Sequence, residues 1–112
     1  MNLLLIDSKG KPRVMNVHDI LYLQTNGFGG LYFYSFDERF KPISTLLDWC
    51  TFLQSEGFLQ LDRGTMVNVR KISSYDPTLR VVTIPNHNGN IIIPFTENIR
   101  RNLAIELNSM NE

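Results

Sequence analysis

Residues 57–72 read Gly57-Phe58-Leu59-Gln60-Leu61-Asp62-Arg63-Gly64-Thr65-Met66-Val67-Asn68-Val69-Arg70-Lys71-Ile72, two short apolar runs around a polar break. Runs of this length, rich in aliphatic and aromatic side chains and bounded by turn residues, predict strands over 58–61 and 66–69. Asp62-Arg63-Gly64-Thr65 is the turn between them. Upstream of Gly57, Leu46, Leu47, Cys50 and Leu53 recur at helical spacing behind Ser44, a residue suited to an N-cap. Trp49 and Phe52 widen that apolar stripe, and Gly57 supplies the stop. A short middle helix over 44–56 is therefore expected.

Outward from this centre the same pattern continues. Strands are predicted over 3–6, 13–17, 20–24, 31–36 and 40–43, the last marked as an edge by Pro42. Asp7-Ser8-Lys9-Gly10-Lys11-Pro12, the glycine-rich residues 26–30 and Asp37-Glu38-Arg39 are the turns between them. Downstream, 80–84 and 91–95 flank Pro85-Asn86-His87-Asn88-Gly89-Asn90, and Asn88-Gly89 signals a hairpin. Thr96 can cap a last helix, Glu97 in its first turn suits the helix dipole, and Ile99, Leu103 and Leu107 mark its apolar face. Nothing repeats at a solenoid period, and no linker is visible. The expectation is one mostly-β domain over 1–112, of antiparallel strands with a short middle helix and a C-terminal helix.

The composition fits such a domain. Its 112 residues are 43% hydrophobic and 20% charged, enough for a real core. Eleven Lys and Arg balance eleven Asp and Glu. This excludes a polybasic or acidic tail but leaves room for a local basic patch. No apolar run approaches the ~20 residues of a membrane span. The start lacks a basic n-region, and its apolar stretch is too short for a signal peptide. The single cysteine, Cys50, excludes an internal disulfide framework, so the chain reads as intracellular and cytoplasmic.

Catalysis finds little support. Two histidines, His18 and His87, and one cysteine cannot make a zinc site at any usual spacing. HExxH, GxSxG and GxxxxGK[ST] are absent. Asn26-Gly27-Phe28-Gly29-Gly30 fails GxGxxG because position 32 is Tyr, and it reads as a turn. Cys50 reads as a small core residue, His18 as a turn residue and His87 as solvated at a hairpin tip. No convergent acid–base set remains, so no enzyme, metal or cofactor is expected.

Charge is patterned more tellingly than its sum. Between Arg63 and Lys71 lie three basic residues and no acid. Arg100-Arg101 stands off the Ile99/Leu103/Leu107 line, and Thr65, Asn68, Asn98 and Asn102 lie close in sequence to these cations. Basic side chains hold phosphates, and amides read base edges. On these residues alone, an ordinary solvated surface is the stronger reading.

Four blocks together resemble the LytTR DNA-binding domain. Val17-His18-Asp19-Ile20-Leu21-Tyr22-Leu23-Gln24 is similar to that family's "valine, x, aspartate, isoleucine, leucine-tyrosine, leucine-glutamate" opening. Leu46-Leu47 resembles its threonine-leucine helix start. Residues 57–72 resemble its glycine-phenylalanine, histidine-arginine-serine-tyrosine, valine-asparagine and lysine-isoleucine block. Ile93-Pro94-Phe95-Thr96 resembles the isoleucine-proline-valine-serine before its final helix. The resemblance runs from about Arg13 to Leu107.

The resemblance implies a bacterial transcription regulator that binds promoter DNA, with loops rather than a recognition helix in the major groove. Three loops would make the contacts: residues 26–30, residues 62–65, and Thr96, Glu97 and Asn98. Arg63 would make the central base or phosphate contact. Asn26, Thr65, Thr96 and Asn98 would supply polar contacts, and Arg70, Lys71, Arg100 and Arg101 would hold the backbone. For Asn68 the tying of a turn is placed ahead of a contact. The chain departs from the family at Asp62, where histidine is usual, and at Glu97 and Asn98, where arginines are usual. The implied partners are double-stranded promoter DNA, a homodimer on repeated sites, and a receiver domain or histidine-kinase pathway outside this chain, which has no room for a receiver domain. The alternatives are a protein-interaction module of the same fold, using Phe28, Tyr32, Tyr34 and Trp49, and a ligand-controlled sensor.

Overall fold

The computed structural model describes residues 2–25, 30–42, 53–62 and 64–110. Ten strands are present among the described residues: β1 (Asn2–Ile6), β2 (Pro12–Asn16), β3 (Tyr22–Thr25), β4 (Leu31–Tyr34), β5 (Arg39–Pro42), β6 (Phe58–Asp62), β7 (Thr65–Asn68), β8 (Ser74–Asp76), β9 (Val81–Asn86) and β10 (Gly89–Pro94). One α-helix, α1 (Glu97–Met110), closes the described chain. The first seven strands form one sheet in the order β2-β1-β5-β4-β3-β7-β6, and the last three a second sheet in the order β10-β9-β8. Every pairing is antiparallel.

Alternation along the strands of the large sheet builds two cores, one on each face. Leu23, Phe33 and Met66 point into a cluster with Leu3, Leu5, Val17, Ile20, Phe40, Leu53 and Phe58. Their neighbours Tyr22 and Val67 point the other way, into a cluster with Leu21, Leu61, Val82, Ile84, Ile93, Phe95 and Leu103. The second core joins the large sheet, the small sheet and α1. Leu53 and Gln54 are helical, and residues 43–52 before them lie outside the described chain. The expected N-cap Ser44 and the stripe of Leu46, Leu47, Trp49, Cys50 and Phe52 lie there too.

Two short 3-10 turns link the layers by one device. Asn16-Val17-His18-Asp19-Ile20 and Asn68-Val69-Arg70-Lys71-Ile72 share the pattern Asn-Val-x-x-Ile. In each, the Asn side chain accepts from the backbone N–H two residues on, Val is buried, and the Ile N–H donates back to the Val carbonyl. These turns correct two expectations: Val17 and Val69 leave the strands assigned to them, and β3 begins at Tyr22 rather than Ile20. The last hairpin differs as well. Its strands run on to Asn86 and from Gly89, which pair directly, so His87-Asn88 forms the turn and Gly89, at φ 119°, opens β10. Strand β8 was not foreseen: Ser74-Tyr75-Asp76 is short, and polar at both ends. Arg80 lies in the β8–β9 turn at φ 58°, not in a strand.

Candidate nucleic-acid interface

Described residues that border the loops singled out in the sequence meet at one edge of the large sheet. Strand β3 ends at Thr25, whose N–H donates to the Gly64 carbonyl at 2.8 Å. The β3–β4 loop therefore starts against the β6–β7 turn. At the start of α1, the Thr96 N–H donates to the Leu61 carbonyl at 3.2 Å, which seats the third segment beside the end of β6. Asn26 and Arg63 lie outside the described residues; Thr25 precedes the first, and Asp62 and Gly64 flank the second. Thr96, Glu97 and Asn98 are exposed.

The departure at position 62 has a structural reason. The Asp62 carboxylate accepts the Gly64 N–H at 2.8 Å, a side-chain cap two residues on that braces the tight turn. Thr65 pairs with Asp62 across that turn and is only 3% exposed. Its hydroxyl accepts from Gln24 Nε2 at 3.3 Å. The structure therefore places Thr65 inside the brace of the loop rather than on its surface. Glu97 is held near Arg80, with Nη1 3.6 Å from Oε2, so a cation stands beside the acid of the third segment.

Other candidate residues sit elsewhere. Arg70 and Lys71 follow β7, at the opposite end of that strand from the Asp62–Thr65 turn, and so are not brought to the three-loop edge. Arg70 Nη1 donates to the Glu56 carbonyl at 2.9 Å, and its guanidinium lies where a Cβ on Gly57 would be. Gly57 has φ +90°, a conformation that favours glycine, whereas the arginine tip ends a flexible side chain that can move aside. Lys71 lines an open cleft of about 570 Å³ that also takes in Asp19, Asp37 and Arg70. Arg100 and Arg101 lie on α1, with side chains outside the description. Asn68 is fully buried, donating from Nδ2 to the His18 and Ile20 carbonyls, each at 3.0 Å, and accepting from the Arg70 N–H. It ties the two 3-10 turns together, as the reading of a turn-holding role expects.

Of the aromatic candidates, Tyr34 stacks on Tyr22 with ring centroids 4.4 Å apart, and burial followed by the neighbouring Tyr34 raises the Tyr22 hydroxyl pKa. Phe28 and Trp49 lie outside the described residues. Sequence reasoning missed Arg39 and Lys41, which flank Tyr32. The signal was the alternation Arg39-Phe40-Lys41, with one buried aromatic between two outward cations. His18 Nε2 lies 3.6 Å from Glu56, and His87 binds the Phe36 carbonyl through both its backbone N–H and Nδ1. No cluster of three or more His, Cys, Asp or Glu side chains fit to hold a metal ion occurs among the described residues. No helix among them is long and apolar enough to cross a membrane.

The architecture is a seven-stranded antiparallel sheet backed by a three-stranded sheet and a C-terminal helix among the described residues. The chain belongs to the LytTr DNA-binding domain family, whose model matches residues 10–104. This is a family of DNA-binding domains, not of enzymes. The fold matches that of the LytTr DNA-binding domain of a response regulator from Bacillus cereus, with a TM-score of 0.67 and 18% identity over 92% of this chain and 95% of that one. Comparison with curated proteins gives no match.

Proposed function

We propose that this domain binds promoter DNA in a sequence-specific way, as part of a bacterial transcription regulator, by offering its three-loop edge to the major groove. The observation that carries this reading is the joining of the three segments: Thr25 to Gly64 and Thr96 to Leu61. A rigid sheet edge holding three loops in fixed relation is what base reading by loops requires. Arg63, between Asp62 and Gly64 in the sequence, makes the central base or phosphate contact. Asn26, Thr96 and Asn98 supply polar contacts around it, and Thr65 keeps the turn in shape from inside. Arg100 and Arg101, near the start of α1, add backbone contacts. Arg70 and Lys71 contribute from a more distant face. A homodimer on repeated sites and a receiver domain or histidine-kinase pathway outside these residues fit this reading as partners.

The test is titration of wild type, Arg63→Ala and Asp62→His against duplexes carrying candidate promoter repeats at several salt concentrations. Contacts to about four phosphates give a slope of log K against log salt near −3.6. If Arg63 reads a base, Arg63→Ala lowers specific affinity by about 1–3 kcal/mol and leaves non-specific binding nearly unchanged. If it holds phosphate, both weaken and the slope shrinks by about one. Asp62→His removes an acid from the interface and is expected to tighten binding, against the loss of the cap on Gly64. Absence of salt-dependent binding to every promoter duplex favours the protein-interaction reading.

A further inference from the structure

Beside the three-loop edge, the outer face of β4 and β5 carries a second set of cationic groups. Tyr32 pairs with Gln24 on β3, one step from the Thr25–Leu31 pair that borders the β3–β4 loop. On β5, Phe40 pairs with Phe33 in the core, so Arg39 and Lys41 turn to the face of Tyr32. The Arg39 guanidinium carbon lies 4.4 Å from the Tyr32 ring centroid, and Lys41 Nζ lies 5.8 Å from it. Both cations are exposed, and neither forms an ion pair among the described residues. The nearest acids in sequence are otherwise engaged: Glu38 with Arg13 and Ser8, Asp37 with the Ser35 hydroxyl. The patch is continuous with the loops, because Gln24, opposite Tyr32, donates to Thr65 in the β6–β7 hairpin.

We propose that Arg39 and Lys41, held over Tyr32, form a phosphate clamp that grips the DNA backbone beside the bases reached by the loops. The inference rests on the reading of the loop edge as a DNA contact. Two unpaired cations on one rigid strand suit a polyanion that passes the loop edge, and the ring under Arg39 fixes the guanidinium before DNA arrives. The clamp carries affinity and salt dependence, not sequence choice.

The experiment measures binding of a labelled random-sequence duplex and a promoter duplex over a range of salt. It compares wild type, Arg39→Gln/Lys41→Gln, Lys9→Gln/Lys11→Gln, Tyr32→Leu and Arg63→Gln. The first double variant is expected to bind both duplexes more weakly, with a slope shallower by about 1.8. The Lys9/Lys11 pair removes equal charge from the β1–β2 turn and is expected to leave the slope unchanged. Tyr32→Leu removes no charge, so affinity falls about two- to fivefold at constant slope. An unchanged slope in Arg39→Gln/Lys41→Gln overturns the clamp, as does an equal loss in the Lys9/Lys11 pair. If Arg63→Gln alone weakens binding, the loop reading stands and the clamp falls. If only the clamp variants weaken it, the clamp stands and the loop reading falls. No binding by wild type to either duplex overturns both.

Discussion

At the scale of single residues, Asn68 holds the most. Its amide spends both hydrogens on carbonyls of the first 3-10 turn and its oxygen on the second turn, with no exposure to water. A buried acceptor left without its donor pays its full desolvation cost. Asn68→Ala is therefore expected to lower unfolding free energy by about 2–4 kcal/mol in urea titrations. Asn68→Asp keeps the acceptor but loses both donors, and is expected to be no milder. Asp62 is the surface counterpart: an acid that opposes phosphate but caps the turn that would approach it. The sequence alone shows the charge at position 62 and not the cap, because the cap depends on the tightness of the turn. The Asn-Val-x-x-Ile repeat was legible in principle, since the same five-residue pattern occurs twice. Its meaning appears only when Asn68 is seen bridging both copies.

At the scale of elements, the β1–β2 turn is organised around Asp7. Its carboxylate accepts the N–H groups of Lys11 and Lys9, each at 2.9 Å, and lies 3.5 Å from the Arg13 guanidinium. The Lys11 N–H is the largest influence, and burial, the next, works against it. With the Lys9 N–H and Arg13 added, the balance holds the carboxyl pKa below its ordinary 3.8. A carboxyl depressed by folding stabilises the fold at pH above its unfolded value, and that contribution is lost as pH falls through the folded value. Asp7→Asn should thus be less stable than wild type at neutral pH. The difference should narrow below about pH 3.8 in thermal melts across pH, as the wild-type carboxyl takes up its proton. Strands built on short apolar runs were legible without the structure: 31–34, 58–61 and 91–94 all fall in or near their expected runs. β8 was not, because pairing with β9, rather than its own composition, makes Ser74–Asp76 a strand. The hairpin tip slipped for a similar reason. The register between β9 and β10 uses Gly89 as a paired residue, moving the turn to His87-Asn88.

At the scale of the whole molecule, the large sheet is a wall shared by two cores, so damage on one face is felt on the other. Leu53 and Leu103 are both fully buried, in opposite clusters. Leu53→Ala and Leu103→Ala are each expected to cost about 2–5 kcal/mol. Each should also shift a single unfolding transition that circular dichroism and fluorescence report at the same urea concentration. Two separated transitions would show that the cores melt independently. The site was less legible than the fold. Sequence pattern named the loops, but the separation of Arg70 and Lys71 from them, and the presence of Arg39 and Lys41 beside them, follow from strand order. That order has a consequence for synthesis on the ribosome. Within the large sheet the β1–β2 hairpin is made before the other strands, yet β1 gains its inner neighbour only when β5 is made, by way of Leu5 with Pro42 and Ile6 with Lys41. For the seconds this takes at typical elongation rates, Leu3 and Leu5 have no core to enter. The earliest-made hairpin of the sheet must wait for a later strand before it can be seated.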